Sequence, residues 1–556
     1  MKSIRYLLTT FFLIQNIFLL TAQTTAGREF WVTYGKISNI LISPANVNDF
    51  QFQIRIVNGK DSTSVTIFFT DLGTSQNFTI EPYEIYDYNL DNTEKYAVYN
   101  STTGTSNYSI RITTSNSVSA YTFGNYLGLG DVTNLLPVTV LGTEYYNLTY
   151  KGQTSNFLDA YLIIATQDTT HLYHNNDSIT TLNAGQVYYR TSTTDMTGAL
   201  ITSNNPIALF AVHQATQTPD GERKSLFQQM NPINTFGTKF FVPSAICEVD
   251  RIRIVVTQNG TDILQTGGAI QSVLGGQTTL TNLQAGDFVE LEMLLNSNGC
   301  FIKSNYPIGV CSYLRSTFFS VTGCSNYSSS AQTWVPGIEQ TISKVILAPF
   351  VSSPISNQNQ FALVCTQTDT KDSTKVSIDG ATPAVLSSND WYDNAASGMS
   401  FYRFELTELS TSYIFSNPKG MIIFGYGTRY LVGGLSNYYY LTGFDLHNSN
   451  AVFFANDVHH SNLPDTTFCS KTVNFRSETS ELSTETGHIK WYIDYNDGNG
   501  YVDEPSALDQ KQWSKNFENG IYPIKMWVCF ANGDEATITS TLKIQALWIK
   551  IRNVRY

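Results

Sequence analysis

The chain has 556 residues, enough for three or four globular units that each bury a core. Charged residues make up only 14% and aromatic residues 13%, so Ser, Thr, Asn and Gln must solvate the surface, and the composition argues against disorder. Lys and Arg number 33 against 45 Asp and Glu, a net charge of −12 with no basic block, which leaves nucleic acid without the counterion release that its binding rests on.

At the N-terminus Lys2 and Arg5 precede an apolar run from Tyr6 to Leu20 and then Thr21-Ala22, the pattern of a secretory signal peptide over residues 1–22. Gln15 and Asn16 interrupt the run, which falls short of the ~20 apolar residues that span a bilayer. No lipobox Cys stands near the cleavage point and no later stretch approaches spanning length. The expectation is a secreted or cell-surface protein with no transmembrane segment.

Period-two alternation recurs after the leader, in Phe52–Ile56, Val65–Phe68, Tyr108–Ile112 and Arg251–Val255, as half-buried antiparallel strands require. Two further runs, Tyr161–Ala165 and Ile207–Val212, are almost wholly apolar and read as strands covered on both faces. The chain is therefore expected to be all-β. A strand-corner-strand motif returns four times: Asn116-Ser117, Asn204-Asn205-Pro206, Asn305-Tyr306-Pro307 and Asn417-Pro418, each leading into an apolar strand. Asn accepts left-handed geometry and Pro fixes φ at the start of the next strand, so the motif specifies a corner. A Pro followed by Gly-Thr and paired aromatics marks the unit starts at Pro137/Gly142 and Pro232/Gly237, with Gly27 opening the series and Pro336 in the fourth position. These spacings predict four tandem antiparallel β units of about 100 residues, at 23–135, 136–231, 232–335 and 336–447, forming either a propeller-like ring or packed β-sandwiches.

From Phe468 the character changes. Strands at Cys469–Phe475, Ile489–Asp494 and Gly520–Cys529, with Trp491 between two Cys, have the layout of an immunoglobulin-like sandwich, expected over residues 462–547. The segment resembles a PKD domain, whose Trp-Asp-Phe-Gly-Asp-Gly run appears here only as Trp491-Tyr492-Ile493-Asp494-Tyr495-Asn496-Asp497-Gly498.

Motifs for bond chemistry are absent from the sequence: it has no Gly-x-Ser-x-Gly elbow, no Cys-x-x-Cys and no phosphate-cradling loop. His171 and His174 are three apart on an expected strand, which turns the rings to opposite faces. No cofactor is expected. Asp494, Asn496, Asp497, Asn499 and Asp503 form a candidate calcium loop, with an ordinary hairpin turn as the alternative. Among seven Cys, the candidate disulfides are Cys469 with Cys529 and Cys311 with Cys324, the alternative for each being a buried small hydrophobe. Glycosylation sequons stand at Asn77, Asn100, Asn107, Asn147, Asn176, Asn259 and Asn326.

Gly27–Tyr34, Leu136-Pro137 with Leu141–Tyr146, Ser203–Ile207 and Trp334–Gln340 together resemble the IgGFc-binding protein N-terminal domain family, over roughly residues 27–445. The resemblance implies an extracellular, bacterial, Bacteroidetes-type member that binds an extracellular protein or glycoprotein such as immunoglobulin or mucin, without enzymatic activity. A carbohydrate-active or glycan-binding protein and a structural surface or matrix component are the alternatives. The shared motifs are structural turns, so they carry no ligand residue across.

Overall fold

A computed structural model describes residues 25–545 except 38–45, 127–129, 152–156, 220–222, 246–249, 295–296, 316–329, 352–357, 409–410, 432–433, 445–450, 457, 460–462, 464–465, 480–489, 497, 499, 504–511 and 530–534. The expected signal peptide, Cys247, Cys324 and Asn326 lie outside the described residues. The chain divides into two bodies, Gln23–Asn448 and a second that contains Ser449–Tyr556.

The first body is built from one plan used four times. Each unit has an opening strand (Ala26–Val32, Glu144–Tyr146, Gly237–Val242, Ile342–Leu347), a second strand (Phe50–Val57, Asp159–Ala165, Arg251–Val256, Gln358–Gln367) and a third (Thr63–Phe69, Thr170–His174, Ile263–Thr266, Lys375–Ile378). A flanking strand (Ile85–Asn89, Val187–Ser192, Phe288–Met293, Met399–Glu405) pairs with the second. A long strand follows: Ile110–Tyr126 in unit I, Leu200–Ser203 continued by Ile207–Thr216 in unit II, Cys300–Leu314 in unit III and Tyr413–Leu431 in unit IV. The closing strands are Asp131–Leu135, Lys224–Gln229, Ala331–Trp334 and Gly434–Leu441.

The first half of every long strand pairs with the opening and third strands, and its second half pairs with the second and closing strands. One strand therefore serves two sheets, which makes each unit a two-layered sandwich turned at a corner. In unit IV, Val345 and Phe415 of one layer share a core with Ala362 and Val364 of the other.

The corner is the Asn motif, and its chemistry repeats. The hydroxyl two residues before the bend donates across it: Thr114 Oγ1 to Asn116 O at 2.7 Å, Ser203 Oγ to Asn205 O at 2.7 Å and Ser304 Oγ to Tyr306 O at 2.6 Å. The corner Asn amides then reach a neighbouring turn, as Asn116 Nδ2 does to Ser62 O at 3.0 Å and Asn305 Nδ2 to Gly260 O at 3.1 Å. The Pro-Gly pairs act between units. A Cβ on Gly27 would lie 2.2 Å from Cβ of Pro137, and one on Gly142 would lie 2.6 Å from Cβ of Pro232, so units I and II each press the proline of the next against a position that has no side chain, whereas Gly237 of unit III faces Glu339 and Gly337.

The four closing strands pack side by side in a cycle, unit I against II and IV, and unit III against II and IV. The units are thus sandwiches, and they also close a ring. The seam lies between IV and I, where Thr25 N donates to Phe444 O at 3.2 Å and the Tyr121 hydroxyl donates to Thr442 O. Tyr121, Phe123, Phe350, Tyr438 and Tyr440 form a core across this seam.

The second body is an immunoglobulin-like sandwich. Thr472–Thr479 and Gln512–Asn516 form one sheet with Ala451–Ala455, and Lys490–Asp494, Tyr501–Asp503, Gly520–Cys529 and Glu535–Ile544 form the other. The strand Ala451–Ala455 places the start of this body before residue 462. Its core holds Val473, Phe475, Ile493, Tyr495, Ile524 and Met526.

Candidate functional site

The ring has two ends, and the strand directions distinguish them. Second strands begin where long strands finish, with Phe50 opposite Tyr126, Asp159 opposite His213, Arg251 opposite Tyr313 and Gln358 opposite Arg429. In every unit the connections from opening to second strand and from long to closing strand therefore leave at this end, while the Asn corners lie at the other. Connections held on a rigid sheet scaffold are where recognition surfaces concentrate.

At the same end, on the ring axis, sits Asp131. Closing strands present their free edges inward, which leaves backbone donors that need partners. Asp131 supplies them. Its Oδ1 accepts from Val132 N at 3.0 Å and Tyr439 N at 3.3 Å, its Oδ2 from Gln332 N at 2.8 Å, and Phe227 N also donates to the carboxylate. Register shows that these four donors are equivalent positions, since Val132, Phe227, Gln332 and Tyr439 pair with Phe123, Val212, Tyr313 and Tyr426 of their own long strands. Asp131 is fully buried, and burial pushes its carboxyl well above the ordinary range while the four donors pull it back.

Beneath this end each unit reaches into the one before it through one equivalent pair of positions. In units I and III the pair is an arginine and a carboxylate on adjacent strands. Arg55 Nε and NH2 each meet Asp87 at 2.7 Å, NH1 donates to Ala348 O at 2.6 Å, and the guanidinium lies 3.9 Å from the Phe350 ring. Arg253 Nε meets Glu290 at 2.9 Å, NH1 donates to Asp195 at 2.6 Å and Thr149 O at 2.9 Å, and the guanidinium lies 4.0 Å from the Tyr150 ring. In units II and IV the arginine position holds Leu162 and Leu363, whose neighbours Tyr189 and Arg403 do the reaching instead. Arg403 Nε donates to Ser244 O at 3.1 Å, and Tyr189 engages the backbone of Lys36. The ring therefore has an approximate twofold pattern, I like III and II like IV.

The interface of II and III carries the densest charge. Arg251 bridges Glu290 at 3.3 Å and Glu292, which also meets Arg315 at 3.3 Å. Asp159 is held by Thr149 Oγ1 at 2.7 Å and Met196 N at 2.7 Å; burial and then the nearby Asp195 push its carboxyl up to about 8. Asp195 itself lies below the ordinary carboxylate range; burial would raise it, but Arg253 and the Thr197 hydroxyl hold it ionised. Burial lifts Asp250 to about 7 and, with Lys151, drops His213 to about 3.

The residues singled out from the sequence do not assemble into a reacting centre. His171 is exposed, with Nδ1 2.9 Å from Thr181 Oγ1, whereas His174 Nδ1 lies 3.2 Å from Tyr161 OH. Asp494 Oδ1 accepts from Asn496 N at 2.8 Å, closing a turn in which Asn496 has φ of 54°. Asp497, Asn499 and the side chain of Asp503 lie outside the described residues, and among the described residues no three His, Cys, Asp or Glu converge as metal ligands.

The Cys469–Cys529 bridge is corrected. Cys469 follows Phe468, which pairs with Ile544 and so lies beside the Gly520 end of the strand that finishes at Cys529. Nine residues of strand put the two ~30 Å apart, far beyond the ~7 Å a disulfide tolerates. Cys469 is a free, exposed thiol. Cys311 is free and buried, accepting from Gln332 Nε2 at 3.6 Å, as the buried-hydrophobe alternative has it; Cys324 lies outside the described residues. Two sequon asparagines, Asn100 and Asn147, are buried, while Asn77, Asn107, Asn176 and Asn259 are exposed. Among the described residues no helix is long and apolar enough to cross a membrane.

Sequence reasoning missed Asp131 and the two arginine locks. The only signal for the latter was an Arg in the same place within two alternating strands, Ile54-Arg55-Ile56 and Ile252-Arg253-Ile254, which a half-buried strand explains equally well.

Comparison with known proteins gives one family match: the model described as "IgGFc binding protein" aligns with residues 131–427, more than half of the chain. The IgGFc-binding protein of Homo sapiens is 26% identical over 179 residues, 29% of this chain and 3% of that protein, so the chain spans a small part of that relative's length. Solved structures give a Salmonella alpha-2-macroglobulin reacted with methylamine (11% identity, TM-score 0.17, 92% of this chain and 35% of that one) and the human Desmocollin-1 ectodomain (9%, TM-score 0.14, 93% and 96%). At these scores neither bears on the fold.

Proposed function

The chain belongs to the IgGFc-binding protein family, and from that membership we propose that the four-unit ring is a non-enzymatic binding module, exported and held outside the cell, that recognises an extracellular protein or glycoprotein. The human relative's name states Fc binding for that protein; immunoglobulin Fc and mucin-type glycoproteins are the ligand classes to test for this one. The observation that carries the reading is that strand ends of all four units, from which two connections per unit leave, stand at one end of the ring, above an interface where arginines and carboxylates pair with each other.

The test is direct. The full mature chain is applied to arrays of immunoglobulins, mucins and glycans, alongside Lys151→Glu and Arg315→Glu at the connection end and Tyr306→Ala at the corner end. Binding that is lost only in the first two supports the reading. Turnover of a glycan, or capture that depends on Tyr306, refutes it.

A further inference from the structure

The four inward N–H groups of Val132, Phe227, Gln332 and Tyr439 come from four separate strands, at sequence intervals that no local turn could create. Donors that converge from several backbone directions form an anion site, as turn nests do for phosphate. Here the anion is supplied by the chain itself: the carboxylate of Asp131, at the start of one closing strand, whose two oxygens both accept from N–H groups, an arrangement that suits the ionised form in spite of its burial. No other unit has an acid in this place, since the residues that precede the other three donors are Leu226, Ala331 and Tyr438. Charge-assisted bonds to a buried carboxylate are the strong ones, and a buried donor that loses its acceptor carries its full desolvation cost.

We infer that the ring is assembled around a backbone carboxylate-binding site at its hub, with Asp131 as the captive ligand, so that closing the ring is an intramolecular binding event. Three units contribute one donor each to an anion that the first unit carries in. The site is selective for a small planar carboxylate, because each oxygen must meet donors from different sides. It goes beyond the proposed recognition function and does not depend on it.

Full-length Asp131→Gly and Asp131→Asn test the idea. Removing the side chain with glycine leaves a hole the size of formate beside four orphaned donors. A fall in Tm of about 5 °C or more is expected for Asp131→Gly. Sodium formate should then restore a large part of it in a concentration-dependent way, where equal sodium chloride does not. Asp131→Asn fills the hole with an uncharged amide and turns a donor toward donors, so it should lose stability and ignore formate. The wild-type chain should ignore formate too. The inference is overturned if Asp131→Asn melts within about 1 °C of the wild type, or if formate acts on Asp131→Gly no more than chloride does. Hydrogen exchange on the wild type stands independently of whether either variant folds. The segments that contain Val132, Phe227, Gln332 and Tyr439 should exchange as one slow class, and free exchange of any one of them while the rest stay protected would refute the shared site.

Discussion

Replacing Arg253 by the residue its own repeat uses elsewhere separates the cost of a buried charge from the cost of lost packing. Arg253→Leu copies Leu162 and Leu363, so the side chain is compatible with this strand position. The change nevertheless strands Glu290, which is 0% exposed and loses its 2.9 Å partner, and removes the 2.6 Å contact that holds Asp195. Breaking one side of a buried ion pair costs about 3–5 kcal/mol. Arg251 at 3.3 Å and the Tyr150 hydroxyl at 2.9 Å still face Glu290, so the lower end, about 3 kcal/mol, is expected. Arg253→Leu with Glu290→Tyr copies unit II, where Leu162 lies opposite Tyr189. That double variant should recover the part of the loss that comes from Glu290, though not the part from Asp195, giving a coupling energy of about 1 kcal/mol or more. Urea unfolding of the full chain, read as midpoint and slope for wild type, both singles and the double, measures it. A single variant within about 1 kcal/mol of wild type, or a double no better than the single, refutes the view that unpaired charge at this interface decides its stability.

Other outcomes follow from the same structure. Asp250 is held near 7 against an ordinary value near 3.8, so the folded chain binds a proton that the unfolded chain releases; stability should fall as pH rises from about 4 to about 7, and Asp250→Asn should flatten that slope in urea midpoints measured across the range. His213 has the opposite sign, because its folded value near 3 means stability is lost as pH drops below about 6.5, and His213→Gln should remove part of that acid loss. A maleimide should label Cys469 in the native chain within minutes while Cys300 and Cys311, whose thiols burial pushes up to about 12, react only after unfolding; protection of Cys469 would restore the discarded bridge. Expressed in a glycosylating host, the chain should carry glycans at exposed sequons such as Asn107 and Asn176 and none at Asn100 or Asn147, as peptide mapping would show.

The repeat and its corners were legible in the sequence because a corner makes strict local demands: a left-handed-tolerant Asn, a hydroxyl to cross the bend and a Pro to start the next strand. The Gly-Pro pairs were visible as a pattern, though their reason, a contact between successive units, was not. Arg55, Arg253 and Asp131 escaped because their meaning lies in partners that belong to other units, from 58 residues away for Asp195 to 308 for Tyr439, and an Arg between two Ile looks the same whether it faces water or a neighbouring unit. The cysteine error has a similar origin. A Cys-Trp-Cys order fits the sandwich, but the first Cys precedes the inner strand Thr472–Thr479, where such a bridge would have to start.

Thr25 and Phe444 meet at a single hydrogen-bonded seam, which has a topological consequence. Among the described residues no sheet is shared across that seam, and apart from Gly104–Ser106 of unit I, which pairs with Val187–Ser192 of unit II, each unit's sheets come from one stretch of sequence. The four-unit ring of residues 25–444, permuted to start at the third unit with its ends linked across the Thr25–Phe444 seam, keeps the contacts that draw the same circle.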